Sequence, residues 1–350
     1  MFDHCGFFIR KDKDIYLNTC MLFKWQYSDN KVYNDYYPYL EQAARAVKNK
    51  WGADLKSCNL YIDNSDMEFK KIETVYAITD KILEIFSDPS YKLKKIYSIS
   101  LDNANALVIN ENFPTTVQCD DKTIGEVQKQ INKMLEGYKE YLLKEYAIKK
   151  IGQNIYLESA NVFANEYVLI KKLFLDPYVI DFFIYYLYLK IHKFMNSQKL
   201  CNKGITLISA SDTGAMIINS LMILFNDYAL WGMKCDVRAQ HLLHIGPKFN
   251  YSMNGLPLSD LEGKNYIYIY DFMCEGSEYS LMKNCLEMSR AKLVGAIGIA
   301  KFNYPRHFDM NAHETLPSQV KDNIGFLVDL EQWGKKDEKK YKIYYEGKTA

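Results

Sequence analysis

Between residues 205 and 328 the chain alternates short apolar runs with amphipathic helical stretches, and this alternation constrains the fold more than any other feature. The runs at 205–209, 237–245, 266–270, 293–299 and 325–328 are bounded by Gly, Asn and Lys, as expected of fully buried strands. Helical patterns occupy 215–225 and 280–290, after a helix at about 178–194. Strands alternating with helices build a parallel sheet with helices on its faces, so the expected class is α/β. Ligands of such folds bind at the carboxyl ends of the strands, which directs attention to the loops after 209 and after 270.

The first half is less regular. Strands are expected near 6–9, 15–23, 59–62, 95–101 and 106–109, with helices at about 39–50, ended by Gly52, and 69–86. From about 123 to 150 the apolar positions Ile124, Val127, Ile131, Met134, Tyr138 and Tyr141 advance by alternating steps of three and four. This predicts a long amphipathic helix. A dimer-forming or inter-domain coil is one reading of it; since Glu145 breaks the series, a helix docked on its own domain is the plainer one. At 350 residues about two domains are expected, here 1–150 as an N-terminal mixed α/β region and 151–350 as the parallel-sheet domain. The charged run 334–340 before 341–345 reads as a turn and a final strand.

Composition removes several function classes. The 44 basic and 43 acidic residues leave a net charge of +1, which argues against a broadly basic nucleic-acid binder. A transcription regulator would also need a helix-turn-helix in the first half, and none stands out. The eight cysteines are scattered without a CxxC pair, and no secretory signal is recognisable, so cytosolic thiols and a cytoplasmic location are expected. His241 and His244 are a closely spaced pair, yet on one strand they would point to opposite faces, and no cysteine stands at zinc-finger spacing from them. The most apolar run, 178–189, contains Asp181 and is far shorter than the ~20 residues a membrane crossing needs. Tyrosine is abundant at 29 residues, with 18 Phe and 4 Trp; such rings fill cores and also line pockets and interfaces.

The segment DLEGKNYIYIYDFMCEGSEYSL, 260–281, places a carboxylate at the end of a buried strand and Gly276 and Ser277 at the start of a helix. Exposed N–H groups and the positive end of a helix dipole there suit an anion, with Asp271 near enough to meet a hydroxyl or a metal. The loop Ser209, Ala210, Ser211, Asp212, Thr213, Gly214 follows the first core strand in the same way. Ser211, Asp212 or Thr213 would also serve simply as the cap of the next helix. Asp271 alone fits a strand-end structural role as well as a ligand role.

Over residues 176–301 these features resemble the type I phosphoribosyltransferases, whose signature is a hydrophobic strand, two adjacent acids, two apolar residues and a small hydroxyl- and glycine-rich loop for the 5′-phosphate of phosphoribosyl pyrophosphate. Asp271 falls on the second acid, Phe272 and Met273 on the apolar pair, and Gly276 with Ser277 on the glycine pair. The sequence departs from the pattern at Tyr270, in place of the first acid, at Cys274 and Glu275, in place of hydroxyl residues, and at Glu278. A carboxylate beside a phosphate is repelled by about 1 kcal/mol at ~4 Å in water and by several near a protein surface. The resemblance implies that the 210–214 amides and Lys248 hold pyrophosphate, that Asp271 orients ribose and helps hold magnesium, and that Cys274, Glu275, Gly276 and Ser277 line the 5′-phosphate site. Lys248 by itself reads equally as a solvated lysine.

Two functions follow. One is transfer of ribose 5-phosphate from phosphoribosyl pyrophosphate to a nitrogenous base, with magnesium; Glu275 would then face the base, or the site would act on a non-phosphorylated nucleoside. The other is a non-catalytic or repurposed nucleotide-binding effector, similar to phosphoribosyltransferase-like components of bacterial anti-phage systems, including some retrons. Its partner would be another protein or a second copy of this chain, for which the unassigned first half, the long helix and the aromatic content are suited.

Overall fold

The structure is a computed structural model that describes residues 2–18, 36–64, 81–86, 93–100, 104–109, 114–118, 121–157, 162–201, 203–229, 237–241, 243–245, 250–252, 262–273, 277–301 and 324–329. It divides into two compact units, Met1–Tyr141 and Leu142–Ala350.

The N-terminal unit is built on a sheet whose described strands lie side by side in chain order. These are β1 (Phe2–Cys5), β2 (Phe8–Lys11), β3 (Asp14–Asn18), β4 (Asn59–Asn64), β5 (Lys95–Ser100), β6 (Ala104–Ile109) and β7 (Pro114–Gln118). β1–β2–β3 and β5–β6–β7 are antiparallel, while β3, β4 and β5 run parallel. Parallel neighbours need a crossover, and helix α1 (Tyr36–Trp51) supplies it between β3 and β4. Leu40, Ala44, Val47 and Trp51 recur at helical spacing and are buried. The helix stops at Gly52, whose φ of +34° a side chain would resist. Lys50 in its last turn reaches Asp3 Oδ1 at 2.7 Å and Trp51 Nε1 donates to Asp3 Oδ2 at 2.9 Å, fastening α1 to β1. Burial pushes the Asp3 carboxyl up, but these partners outweigh it and leave its pKa lowered.

The long amphipathic helix is α2 (Asp121–Leu142), and its stripe Val127, Ile131, Met134, Leu135 and Tyr138 is buried. Phe2 lies 5.7 Å, centroid to centroid, from both Tyr138 and Tyr141, and Gln130 Nε2 donates to Asp14 Oδ2 at 2.8 Å. The helix is therefore docked on its own unit. It does not reach residue 150: a π turn, Leu143–Ala147, ends it and residues 148–150 begin a strand. The apolar series breaks at exposed Glu145, and the wider π turn instead buries Leu143 and Ala147 before the chain turns extended at Ile148.

The C-terminal unit opens with an antiparallel hairpin, β8 (Ile148–Leu157) and β9 (Val162–Val168). Helix α3 (Pro177–Ser197) follows; Asp176 Oδ1 caps it, accepting from Tyr178 N–H at 2.9 Å, with Pro177 in the first turn. The main sheet contains β10 (Ile205–Ser209), β11 (Val237–His241), β14 (Asn265–Met273), β15 (Lys292–Lys301) and β16 (Ile324–Asp329), all parallel, in the order β11-β10-β14-β15-β16. Helices α4 (Asp212–Ala229) and α5 (Ser277–Met288) alternate with these strands. Tyr266, Tyr268 and Tyr270 of β14 share a buried cluster with Tyr279, Met282 and Leu286 of α5.

The run 237–245 is not one strand. β11 ends at His241, opposite Ser209, and 243–245 forms β12 (Leu243–Ile245), paired antiparallel with β13 (Asn250–Ser252) in a separate ribbon. β10 is only five residues long, so its ladder with β11 runs out and the chain finds another partner. His241 and His244 consequently belong to different sheets. The expected segments 19–23, 69–80 and 334–345 lie outside the described residues. Among the described residues no helix is long and apolar enough to cross a membrane, and Cys5, Cys58, Cys201 and Cys285 are thiols rather than disulfides.

Candidate functional site

Strand order locates the site. Numbered by sequence within the sheet, the order is 2-1-3-4-5, and it reverses between β10 and β14. At such a reversal the connections leave in opposite directions and open a crevice outside the carboxyl ends of the two strands. The loops leaving β10 and β14 are the two singled out by the sequence.

The loop after β10 is held together by its own serines. Ser209, 1% exposed, donates through Oγ to the Ser211 carbonyl at 3.1 Å and accepts from the Ser211 N–H at 3.3 Å. Ser211 Oγ accepts from the Gly214 N–H at 2.9 Å, and the Ser211 carbonyl accepts from the Ala215 N–H at 2.9 Å. Ser211 is thus the cap of α4; exposed Asp212 is the helix's first residue, with half-buried Thr213 next. A Cβ at Gly214 would stand 2.1 Å from Ser209 Oγ and 3.0 Å from Ser209 Cβ. Glycine there lets the start of α4 rest on the end of β10.

The end of β14 carries two adjacent residues with opposite fates, because successive side chains on a strand face opposite sides. Tyr270, 2% exposed, belongs to the core cluster, and its hydroxyl donates to the Gly325 carbonyl at 2.7 Å. Its ring covers Gly298, the residue opposite it in register: a Cβ there would lie 2.2 Å from Tyr270 Cδ2 and 2.4 Å from the Tyr270 carbonyl oxygen. Burial raises the Tyr270 pKa, so the phenol stays neutral. Asp271 is half-buried; its Oδ1 accepts from the Phe272 N–H at 2.7 Å. Burial pushes the Asp271 carboxyl up, and the Phe272 N–H and the Thr213 side chain draw it only partly back. Thr213 of the first loop and Asp271 of the second therefore meet across the reversal.

Ser209, Ser211, Asp212, Thr213, Gly214 and Asp271 thus gather at the crevice, and Ser277 opens α5, which carries Glu278 in its first turn. Lys248, Cys274, Glu275 and Gly276 lie outside the described residues. The lock made by Tyr270, Gly298 and Gly325 was not anticipated from sequence. Its signal was there: a glycine inside an apolar strand, facing the last tyrosine of the YIYIY run, marks a close approach.

A magnesium ion shared by two strand-end acids would need a carboxylate where Tyr270 stands, and Tyr270 is turned into the core. Among the described residues no three His, Cys, Asp or Glu side chains are grouped to hold a metal ion. Asp271, with one oxygen already engaged by Phe272, does not by itself fit that ion, which is ordinarily held by one or two carboxylates plus substrate phosphates.

No protein-family model matches the chain, and no curated protein matches it in sequence. Among solved structures it is similar to a phosphoribosyltransferase from Corynebacterium diphtheriae, at 13% identity and a TM-score of 0.34 over 57% of this chain and 98% of the other. The orotate phosphoribosyltransferase from Aeropyrum pernix matches at 12% identity and a TM-score of 0.37 over 57% and 98% of the two chains. The UMP synthase of Leishmania donovani matches at 12% identity and a TM-score of 0.38, over 87% of this chain and 63% of that one. At such scores the likeness carries no functional weight, which falls on the crevice residues.

Proposed function

We propose that the C-terminal unit binds a ribosyl ligand, a nucleotide or a phosphoribosyl compound, in the crevice between β10 and β14. The observation that supports it most is Asp271: a half-buried carboxylate with a raised pKa, placed at the end of a strand beside the topological reversal. A group kept there at a cost in solvation is a candidate for function rather than for stability. Chemically it is an acceptor for sugar hydroxyls, and the nearby Thr213 side chain offers a further hydroxyl.

A non-catalytic effector is favoured over a transferase by one specific observation, the burial of Tyr270 against Gly298 where the signature has its first acid. Ribosyl transfer needs charge placed around a cationic sugar as the leaving group departs, and one carboxylate supplies less of it than two. The repurposed reading carries its own check: a gene for a reverse transcriptase beside this one would support a retron-like role, and a purine or pyrimidine biosynthesis operon would count against it.

The ligand reading is tested by calorimetry on the full chain, with nucleotides and with phosphoribosyl pyrophosphate plus magnesium. Saturable heat with at least one of them, weakened tenfold or more in Asp271→Asn, is the expected result. No heat from any, or affinity indifferent to Asp271→Asn, overturns it.

A further inference from the structure

A loop that receives a diphosphate does so with unengaged backbone N–H groups at a helix N-terminus and without acids among them. The β10–α4 loop departs from that pattern in two respects. Two of its amides are already spent on serine oxygens: that of Ser211 on Ser209 Oγ and that of Gly214 on Ser211 Oγ. The first residue of α4 is Asp212, exposed, whose negative charge stabilises the helix start and repels an incoming anion. Across the reversal, the described end of β14 presents the Asp271 carboxylate, which accepts hydrogen bonds and cannot donate them while ionised. Ligand groups that satisfy it are hydroxyls, not phosphate oxygens. Tyr270 offers no second charge to help a cation bridge carboxylate and diphosphate.

Resting on the ribosyl-ligand reading above, we infer that the crevice takes a ribosyl ligand that presents hydroxyls and no diphosphate to the β10–α4 loop: a nucleoside or nucleoside 5′-monophosphate, bound without a divalent cation. Such a ligand already carries its base. The crevice then holds a finished nucleoside rather than consuming a pyrophosphate-activated sugar.

The experiment is calorimetry on the full chain with adenosine, guanosine, cytidine, uridine, their 5′-monophosphates, phosphoribosyl pyrophosphate and inorganic pyrophosphate, each with magnesium and again with EDTA. At least one nucleoside or monophosphate should bind tenfold or more tightly than phosphoribosyl pyrophosphate, with less than a twofold change in EDTA, and pyrophosphate should give no heat. Tighter binding of phosphoribosyl pyrophosphate than of every nucleoside and monophosphate, or loss of binding in EDTA, overturns this inference and leaves the ribosyl site standing. No heat from any compound overturns both.

A gain-of-function variant isolates the loop. Ser211→Gly removes the oxygen that occupies the Gly214 N–H, and glycine is itself an acceptable helix cap, so the fold is kept. Pyrophosphate, silent with the parent protein, should give saturable heat with Ser211→Gly. If the variant remains folded by circular dichroism and still binds no pyrophosphate, amide occupation is not what excludes the anion and the inference fails.

Discussion

In the N-terminal unit the described strands follow chain order from β1 to β7, whereas in the C-terminal unit the order β11-β10-β14-β15-β16 reverses once. Each unit buries acidic side chains near the carboxyl ends of parallel strands, with different results. Asp63, in β4 of the first unit, is 3% exposed and accepts from the Tyr16 hydroxyl of the neighbouring strand β3 at 3.0 Å. It is tied across the ladder. Asp271 stands instead at the reversal, where adjoining connections diverge, and burial raises its pKa more than its hydrogen bonds lower it. The contrast teaches that a carboxylate tied across a ladder is accounted for by the sheet itself, while the half-buried one at the reversal is not tied to a neighbouring strand in that way.

The largest expected effect comes from the lock that keeps Tyr270 out of the crevice. Gly298→Ala drives a methyl into the Tyr270 ring and its carbonyl, and the backbone cannot yield, so denaturant unfolding should show a loss of about 3 kcal/mol or more. Next is Tyr16→Phe in the N-terminal unit. Removing a hydroxyl donor from a buried carboxylate should cost about 1.5–3 kcal/mol by the same measurement; a loss below ~0.5 kcal/mol would erase the distinction drawn for Asp63. Gly214→Ala should cost about 1–2 kcal/mol, less than Gly298→Ala because Ser209 Oγ can rotate away where a backbone carbonyl cannot.

The smallest effect has the opposite sign. The folded pKa of Asp271 lies above the ordinary aspartate value of 3.8, so between those two values the native state holds more proton than the unfolded chain. Stability contributed at this position is therefore lost as pH rises through that window and stays lost at neutral pH. Asp271→Asn should raise the thermal midpoint at pH 7 and leave it near that of the parent below pH 3.8. A lower midpoint at pH 7 would make Asp271 a structural acid like Asp63.

Much of the architecture was legible because burial leaves a pattern. All five residues of β10 are buried, Thr206 and Ser209 along with the apolar Ile205, Leu207 and Ile208 that marked the strand, and the period of α2 marked the face that packs. What was not legible depends on neighbours in space. The split of 237–245 between two sheets follows from where β10 ends, and the stop of α2 before residue 150 from a π turn that seats Leu143 and Ala147 in the core and hands the chain to β8. At the site, the sequence named Ser209–Gly214 and Asp271 but left open which residue caps α4; hydrogen-bond geometry settles on Ser211.

The sequence by itself determined an α/β chain with a parallel sheet and two candidate loops, because hydrophobic periodicity and helix-start residues are local properties. Only the tertiary structure decided that the strands reverse between β10 and β14, that Tyr270 lies on Gly298 in the core, and that serine oxygens take the amides of Ser211 and Gly214. Those outcomes are set by which strands become neighbours and by which donor lies nearest each acceptor, and both arise from long-range packing that composition and spacing do not encode.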